Sequence, residues 1–120
     1  KPTAVAQSGK VEVEPAFLVA ASNAHAVTKA VAHFQCSGAA DEDEIQYAAD
    51  SLPNGGRVRL SEGDFFTTSA AVITLPTNTV VEGLGKSATR INHTGTAPKF
   101  LAAGAGVELR RFGIYPYGCT

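Results

Sequence analysis

The tetrapeptide Pro53-Asn54-Gly55-Gly56 separates two kinds of periodicity, and that change of period constrains the fold more than any other feature of the chain. Upstream, Asp41-Glu42-Asp43-Glu44 leads into Ile45, Tyr47, Ala48, Ala49 and Leu52, an apolar pattern at helical spacing. Asp41 is placed to accept a bond from a free N–H of the first turn while Glu44, three residues on, reaches back, so the acidic run reads as a capping box. Downstream, apolar residues alternate with polar ones. Short strands are expected at 57–61, 65–68, 71–75, 79–82, 89–93, 99–102 and 106–110, with turns at Gly63, Pro76-Thr77-Asn78, Gly83, Gly85, Gly95, Gly104, Gly106 and Gly113. Val58-Arg59-Leu60, Thr79-Val80-Val81 and Val107-Glu108-Leu109 each place two inward residues around an outward one, at intervals of 21 and 28 residues. Such intervals suit one turn of a solenoid, with Leu60, Val81 and Leu109 stacked in its interior. A second inward column runs through Ile73 and Leu75, then Ile91, then Phe100, with Leu101 as a further candidate. A β-sandwich would also accommodate regularly spaced strands, but it explains the helix-to-strand opening less well.

The segment before the helix supplies a cap. Ala16 to Ala21 reads as a buried strand, Ser22 and Asn23 offer an N-cap to a helix over 24–32 with Val27, Ala30 and Val31 on its apolar face, and His33 to Cys36 alternates as a half-buried strand. Residues 1–15 carry only the short alternation Val11-Glu12-Val13-Glu14 and end in proline. They form an extended arm, either a disordered terminus or a strand that Val11 and Val13 add to a neighbouring sheet edge. The expected fold is therefore mainly β: a short right-handed parallel β-helix of about three coils over 57–120, a small α/β cap over 16–56, and the arm.

The order of these elements resembles the N-terminal opening of right-handed parallel β-helix proteins of the pectate-lyase-like superfamily. The resemblance rests on the acidic helix from Asp41 to Leu52, on Leu52-Pro53-Asn54-Gly55-Gly56, on Val58-Arg59-Leu60-Ser61-Glu62-Gly63-Asp64-Phe65, and on Leu75-Pro76-Thr77-Asn78 through Glu82-Gly83-Leu84-Gly85. It covers residues 16–115. Lyases, hydrolases, phage tailspikes and inert virion proteins share this opening, so the resemblance implies a fold more strongly than an activity.

Charge and motif content narrow the function. The 120 residues carry a formal charge of −1 with Lys and Arg scattered, which gives no footprint for nucleic acid and no polybasic membrane patch. No apolar run approaches the roughly 20 residues that span a bilayer. The chain begins at Lys1 without methionine or a signal-peptide core, which points to processing or to a missing upstream segment. Cys36 and Cys119 can pair or remain free, with free thiols favoured over a disulfide, and with no CxxC or adjacent histidine set they do not make a metal site. The acids at 41–44 read as a helix cap rather than a calcium loop, because ligand spacing is absent. Gly85-Lys86-Ser87 lacks the first glycine of a phosphate-binding loop, Val80 standing in its place. His25, His33 and His93 accompany no nucleophile motif. Glu62, Asp64, Glu82 and Glu108 are spread singly, as solvated strand or turn residues, where uronate chemistry needs clustered carboxylates beside a long groove.

These readings give no catalytic residue, no metal ligand and no cofactor. They favour a non-enzymatic structural protein, a phage virion accessory such as a capsid cement, decoration or tail-associated protein, partnered by itself and by a capsid or tail protein. The expected contact residues are Val11, Val13, Arg110, Arg111, Phe112, Tyr115 and Tyr117, because arginine and aromatic residues are enriched at interfaces. An open lower end of the solenoid, with apolar core and bare strand edges, carries that expectation. The alternatives are the N-terminal part of a secreted polysaccharide lyase or hydrolase, or a glycan-binding module using Arg111, Tyr115 and Tyr117.

Overall fold

Sterically crowded β-branched and aromatic residues alternate with polar ones over most of the chain after residue 56, and the described part of that half is built from short strands joined by turns. The computed structural model describes residues 15–68, 71–95 and 98–116. Val11 and Val13 of the expected arm, Tyr117 and Cys119 lie outside the described residues. Two short helices and ten strands follow in the order β1 (Ala16–Ala20), α1 (Ala26–Val31), β2 (Phe34–Gln35), α2 (Glu42–Asp50), β3 (Gly56–Leu60), β4 (Gly63–Thr67), β5 (Val72–Leu75), β6 (Thr79–Glu82), β7 (Thr89–His93), β8 (Lys99–Ala102), β9 (Glu108–Arg110) and β10 (Gly113–Pro116). The last strand was not expected.

All strand pairing among the described residues is parallel. The first sheet has the order β2-β1-β3-β6-β9, the second β10-β7-β4 and the third β5-β8. From β3 onward the chain visits the three sheets in rotation, so β3-β4-β5, β6-β7-β8 and β9-β10 form successive tiers. Interior residues then stack in register: Val58 on Val81 on Leu109, Phe65 on Ile91 on Ile114, and Ile73 on Phe100.

This register corrects the expected columns. Val81 lies beneath Val58 rather than Leu60, which instead pairs with Val19 of β1. Ile91 does not share a column with Ile73 and Phe100, because it belongs to the second sheet and they belong to the third. A period-two pattern identifies the inward face of a strand but leaves shifts of two residues undecided.

The turn into the first sheet recurs at the same place in each tier. Gly55 (φ 100°), Asn78 (φ 59°) and Gly106 (φ 80°) all occupy positive φ. A Cβ on Gly55 would lie 2.7 Å from the Asn78 Cβ, so the upper turn requires glycine for space as well as for backbone angle. Asparagine is the side-chain-bearing residue that best tolerates this conformation, and it takes the middle position.

The helices also depart from expectation. In α2, Ile45, Ala48 and Ala49 are buried at helical spacing and close the top of the interior, while Tyr47 points outward. α1 is shorter than 24–32 and buries none of its residues; Val27 and Val31 are exposed. Its preceding residue, His25, makes no side-chain cap, and Asn23 is committed elsewhere.

Candidate functional site

The two ends of the stack are finished by different chemistry. At the upper end, strands β4 and β5 would present bare N–H and C=O groups, since no strand lies above them among the described residues. Side chains from the cap meet these groups instead. Asn23 Oδ1 accepts from the Asp64 N–H at 2.8 Å, and Asp41 Oδ2 accepts from the Phe66 N–H at 2.8 Å while the Asp41 N–H donates to the Phe66 carbonyl at 2.9 Å. Glu42 accepts from both the N–H and the hydroxyl of Thr68. Gln46 accepts from the Thr74 N–H and donates to the Thr74 carbonyl, both at 2.8 Å, so its amide substitutes for a neighbouring strand.

Asp41 therefore is not a helix cap. Its backbone is helical (φ −68°, ψ −13°), its side chain makes no bond to the first turn of α2, and Oδ1 accepts from the Gly38 N–H upstream. The capping-box pattern is present in sequence, but the carboxylate is recruited by a strand 25 residues downstream.

At the lower end no such stitching appears among the described residues. Along the first-sheet column, exposure is 0% at Val58, 0% at Val81 and 44% at Leu109; along the second it is 0% at Phe65, 0% at Ile91 and 41% at Ile114. Phe100 and Phe112 pack there with ring centroids 5.8 Å apart, both partly buried. The Arg110 carbonyl accepts from the Gly83 N–H, which belongs to the tier above. Strand alternation then directs the N–H and C=O of Leu109 away from the stack.

Of the expected contact residues, Arg110 and Arg111 meet on the outer face of the first sheet, Phe112 turns to the lower interior, and Tyr115 lies on the second sheet, its hydroxyl donating to the Lys86 carbonyl at 2.9 Å. They do not form one patch, because Arg111 at φ 65° turns the chain between β9 and β10. The centre of that outer face is Glu82, which the sequence pattern alone presents as solvated. Its side chain is 13% exposed and lies 2.5 Å from Arg57, 3.6 Å from Arg110 and 3.7 Å from Arg111. The Arg57 bond, reinforced by the other guanidinium groups, holds its carboxyl below the usual range. Arg59, beside it, has no ion pair among the described residues.

Asp64 and Glu62 are likewise engaged rather than solvated. Asp64 takes a two-point contact from Arg90 (2.7 and 2.9 Å) and donated bonds from Asn23 and Asn92, and the Arg90 bond leads in lowering its carboxyl to about 2. Glu62 accepts from the His25 N–H and the Thr28 hydroxyl, tying α1 to the turn between β3 and β4. None of these partners is adjacent in sequence, and a single-residue pattern offers no signal for them.

Under the cap, Cys36, Asp41 and Glu44 bring a thiol sulfur and two carboxylate oxygens within 4.8 Å of one another. Cys36 is a free, buried thiol. Burial raises all three groups, and the two carboxylates push the thiol higher still. Of the described residues, this trio is the group that could hold a divalent cation, although both Asp41 oxygens already accept backbone N–H bonds. No protein-family model, no curated protein and no solved structure matches the chain.

Proposed function

We propose that the tiers are coils of a right-handed parallel β-helix and that the chain is a non-enzymatic structural protein acting through assembly. Right-handed connection is the rule for parallel strands in one sheet. One observation carries the functional reading: the columns of the first and second sheets pass from fully buried to more than two-fifths exposed at their last position, while the upper edges are stitched by side chains. Apolar surface and unpaired backbone left together at one end favour cover by another surface.

Combined with the near-neutral charge and the resemblance to virion β-helix proteins, this favours a phage virion accessory, a capsid cement, decoration or tail-associated protein whose partners are its own copies and a capsid or tail protein. Light scattering and electron microscopy test it. A defined oligomer or particle-bound copies is the expected result, whereas a stable monomer that cleaves uronate polymers would sink it.

The same lower edge supports a second reading. β8, β9 and β10 present parallel edges that a further coil could extend, as in the N-terminal part of a longer lyase or hydrolase. The full coding sequence decides between them: several hundred additional residues carrying a groove would favour the enzyme.

A further inference from the structure

We propose that the lower end is closed by a second copy of this chain, through antiparallel pairing of β9 with its symmetry mate about a two-fold axis at Leu109. This rests on the assembly reading and names the partner and the symmetry.

The backbone is placed for it. Because the Arg110 carbonyl is bonded upward to Gly83, Leu109 directs both its N–H and its C=O downward. A two-fold axis through Leu109 sets those groups against their own copies, giving a closed pair of N–H···O bonds. The side chains agree. In that register Glu108 of one protomer lies opposite Arg110 of its partner, and Arg110 opposite Glu108, at the non-hydrogen-bonded positions where antiparallel side chains approach most closely. Glu108, Leu109 and Arg110 are all exposed, so the strand is free to pair. The sequence Glu-Leu-Arg is thus self-complementary in charge when reversed.

The other end argues against an open chain of copies. Asn23, Asp41, Glu42 and Gln46 occupy the upper edges of β4 and β5, and α2 covers the interior above them. A lower end therefore finds no bare edge of the second and third sheets on another copy's top, and the upper edge of the first sheet is only the two-residue β2, which leaves the closed, isologous contact as the favoured one. It also covers Leu109 and Ile114 with Phe100 and Phe112 beside them.

A charge exchange tests the pairing. By multi-angle light scattering, the unaltered 120-residue chain is expected at twice its 12.4 kDa mass. Glu108→Arg alone sets two guanidinium groups against each other across the interface, and Arg110→Glu alone sets two carboxylates against each other, so each variant should self-associate at least about tenfold more weakly. Mixed one to one, the two single variants should recover the doubled mass as a heterodimer by native mass spectrometry. The double variant E108R/R110E should recover the homodimer. Within one protomer Arg110 already lies 3.2 Å from Glu108 and 3.6 Å from Glu82, so each single reversal also sets like charges together inside the chain; thermal melts of each variant confirm folding, and the double variant keeps the 108–110 pair opposite in charge while carrying the same change beside Glu82.

Failure is separable from failure of the assembly reading. An oligomer indifferent to the single charge reversals, single variants that stay monomeric on mixing, or a monomer that binds a capsid protein overturns the β9 pairing and leaves assembly standing. A monomer that binds neither itself nor a particle overturns both.

Discussion

Truncating Asp41 should cost more than truncating any helix cap. Its side chain is fully buried, and its two oxygens accept from the Gly38 N–H at 3.0 Å and the Phe66 N–H at 2.8 Å. Asp41→Ala leaves both donors without their acceptor, and an unsatisfied buried donor costs about 1–3 kcal/mol. Both bonds are only partly buried, which takes the low half of that range for each. Removing a carboxyl whose ionised form is disfavoured by burial returns some stability. The net expectation is a loss of about 2–3 kcal/mol, against about 1 for a lost helix cap. Asp41→Asn keeps one acceptor and turns an amide N–H₂ toward the other donor, so it should fall between. Urea unfolding followed by circular dichroism measures the loss, and amide exchange locates it. The Gly38 and Phe66 amides should lose protection while those of Asp43 and Glu44 keep theirs. A cost below about 0.5 kcal/mol, or deprotection confined to the first turn of α2, would refute the edge-stitching role.

Other perturbations probe the remaining chemistry. Val81→Ala, at a fully buried middle position, should cost about 1–3 kcal/mol, while Leu109→Ala should cost less in the monomer despite removing more carbon, because Leu109 is already 44% exposed; equal costs in denaturant melts of dilute protein would contradict the exposure gradient. Thr79 is buried with a hydroxyl that has no hydrogen-bond partner among the described residues, so the isosteric Thr79→Val should raise stability by about 1 kcal/mol; a lowered midpoint would show that the hydroxyl is satisfied. Stability should also pass through a maximum in mild acid. Asp64 and Glu82 have lowered carboxyl values, so their contribution is present at neutral pH and is lost as pH falls below about 4 toward the folded value of about 2 for Asp64. Asp41 and Glu44 are raised, so their contribution is present below their ordinary values and is lost as pH rises through the folded ones. Arg90→Gln should flatten the acid side of that profile, and an unchanged acid midpoint would remove Asp64 as its source.

What is legible in the sequence is whatever depends on nearest neighbours. The helix-to-strand change at Pro53-Asn54-Gly55-Gly56 and six strand positions between 57 and 102 follow from local pattern and turn chemistry, and the structure places them within two residues. The expected α1 is too long because Val27, Ala30 and Val31 have the spacing of a buried stripe, yet no element lies over that face among the described residues. β10 escapes the pattern because Gly113 and Pro116 bound it and leave only Ile114 and Tyr115 between. The upper-edge contacts are invisible for a different reason: Asn23 to Asp64, Asp41 to Phe66 and Gln46 to Thr74 join residues 25 to 41 positions apart, and only the stacking brings them together.

The stacking register is the hardest part to read, and its cause is visible on the outer face of the first sheet. Sliding β6 by two residues would set Val81 beneath Leu60 and keep every inward residue inward, so burial alone barely separates the two arrangements. The outward residues do separate them. In the observed register Arg59, Glu82 and Arg110 stand in one cross-strand row, with Arg57 reaching Glu82 diagonally. In the shifted register Glu82 would face Ser61 and Arg59 would face Val80. The turns add a second discriminator, since Gly55 over Asn78 over Gly106 aligns three positive-φ residues only in the observed arrangement. Apolar alternation thus chooses the face, while a partly buried glutamate among arginines and a column of left-handed turns choose the register. The same charge alternation on β9 is what remains available for pairing at the lower end.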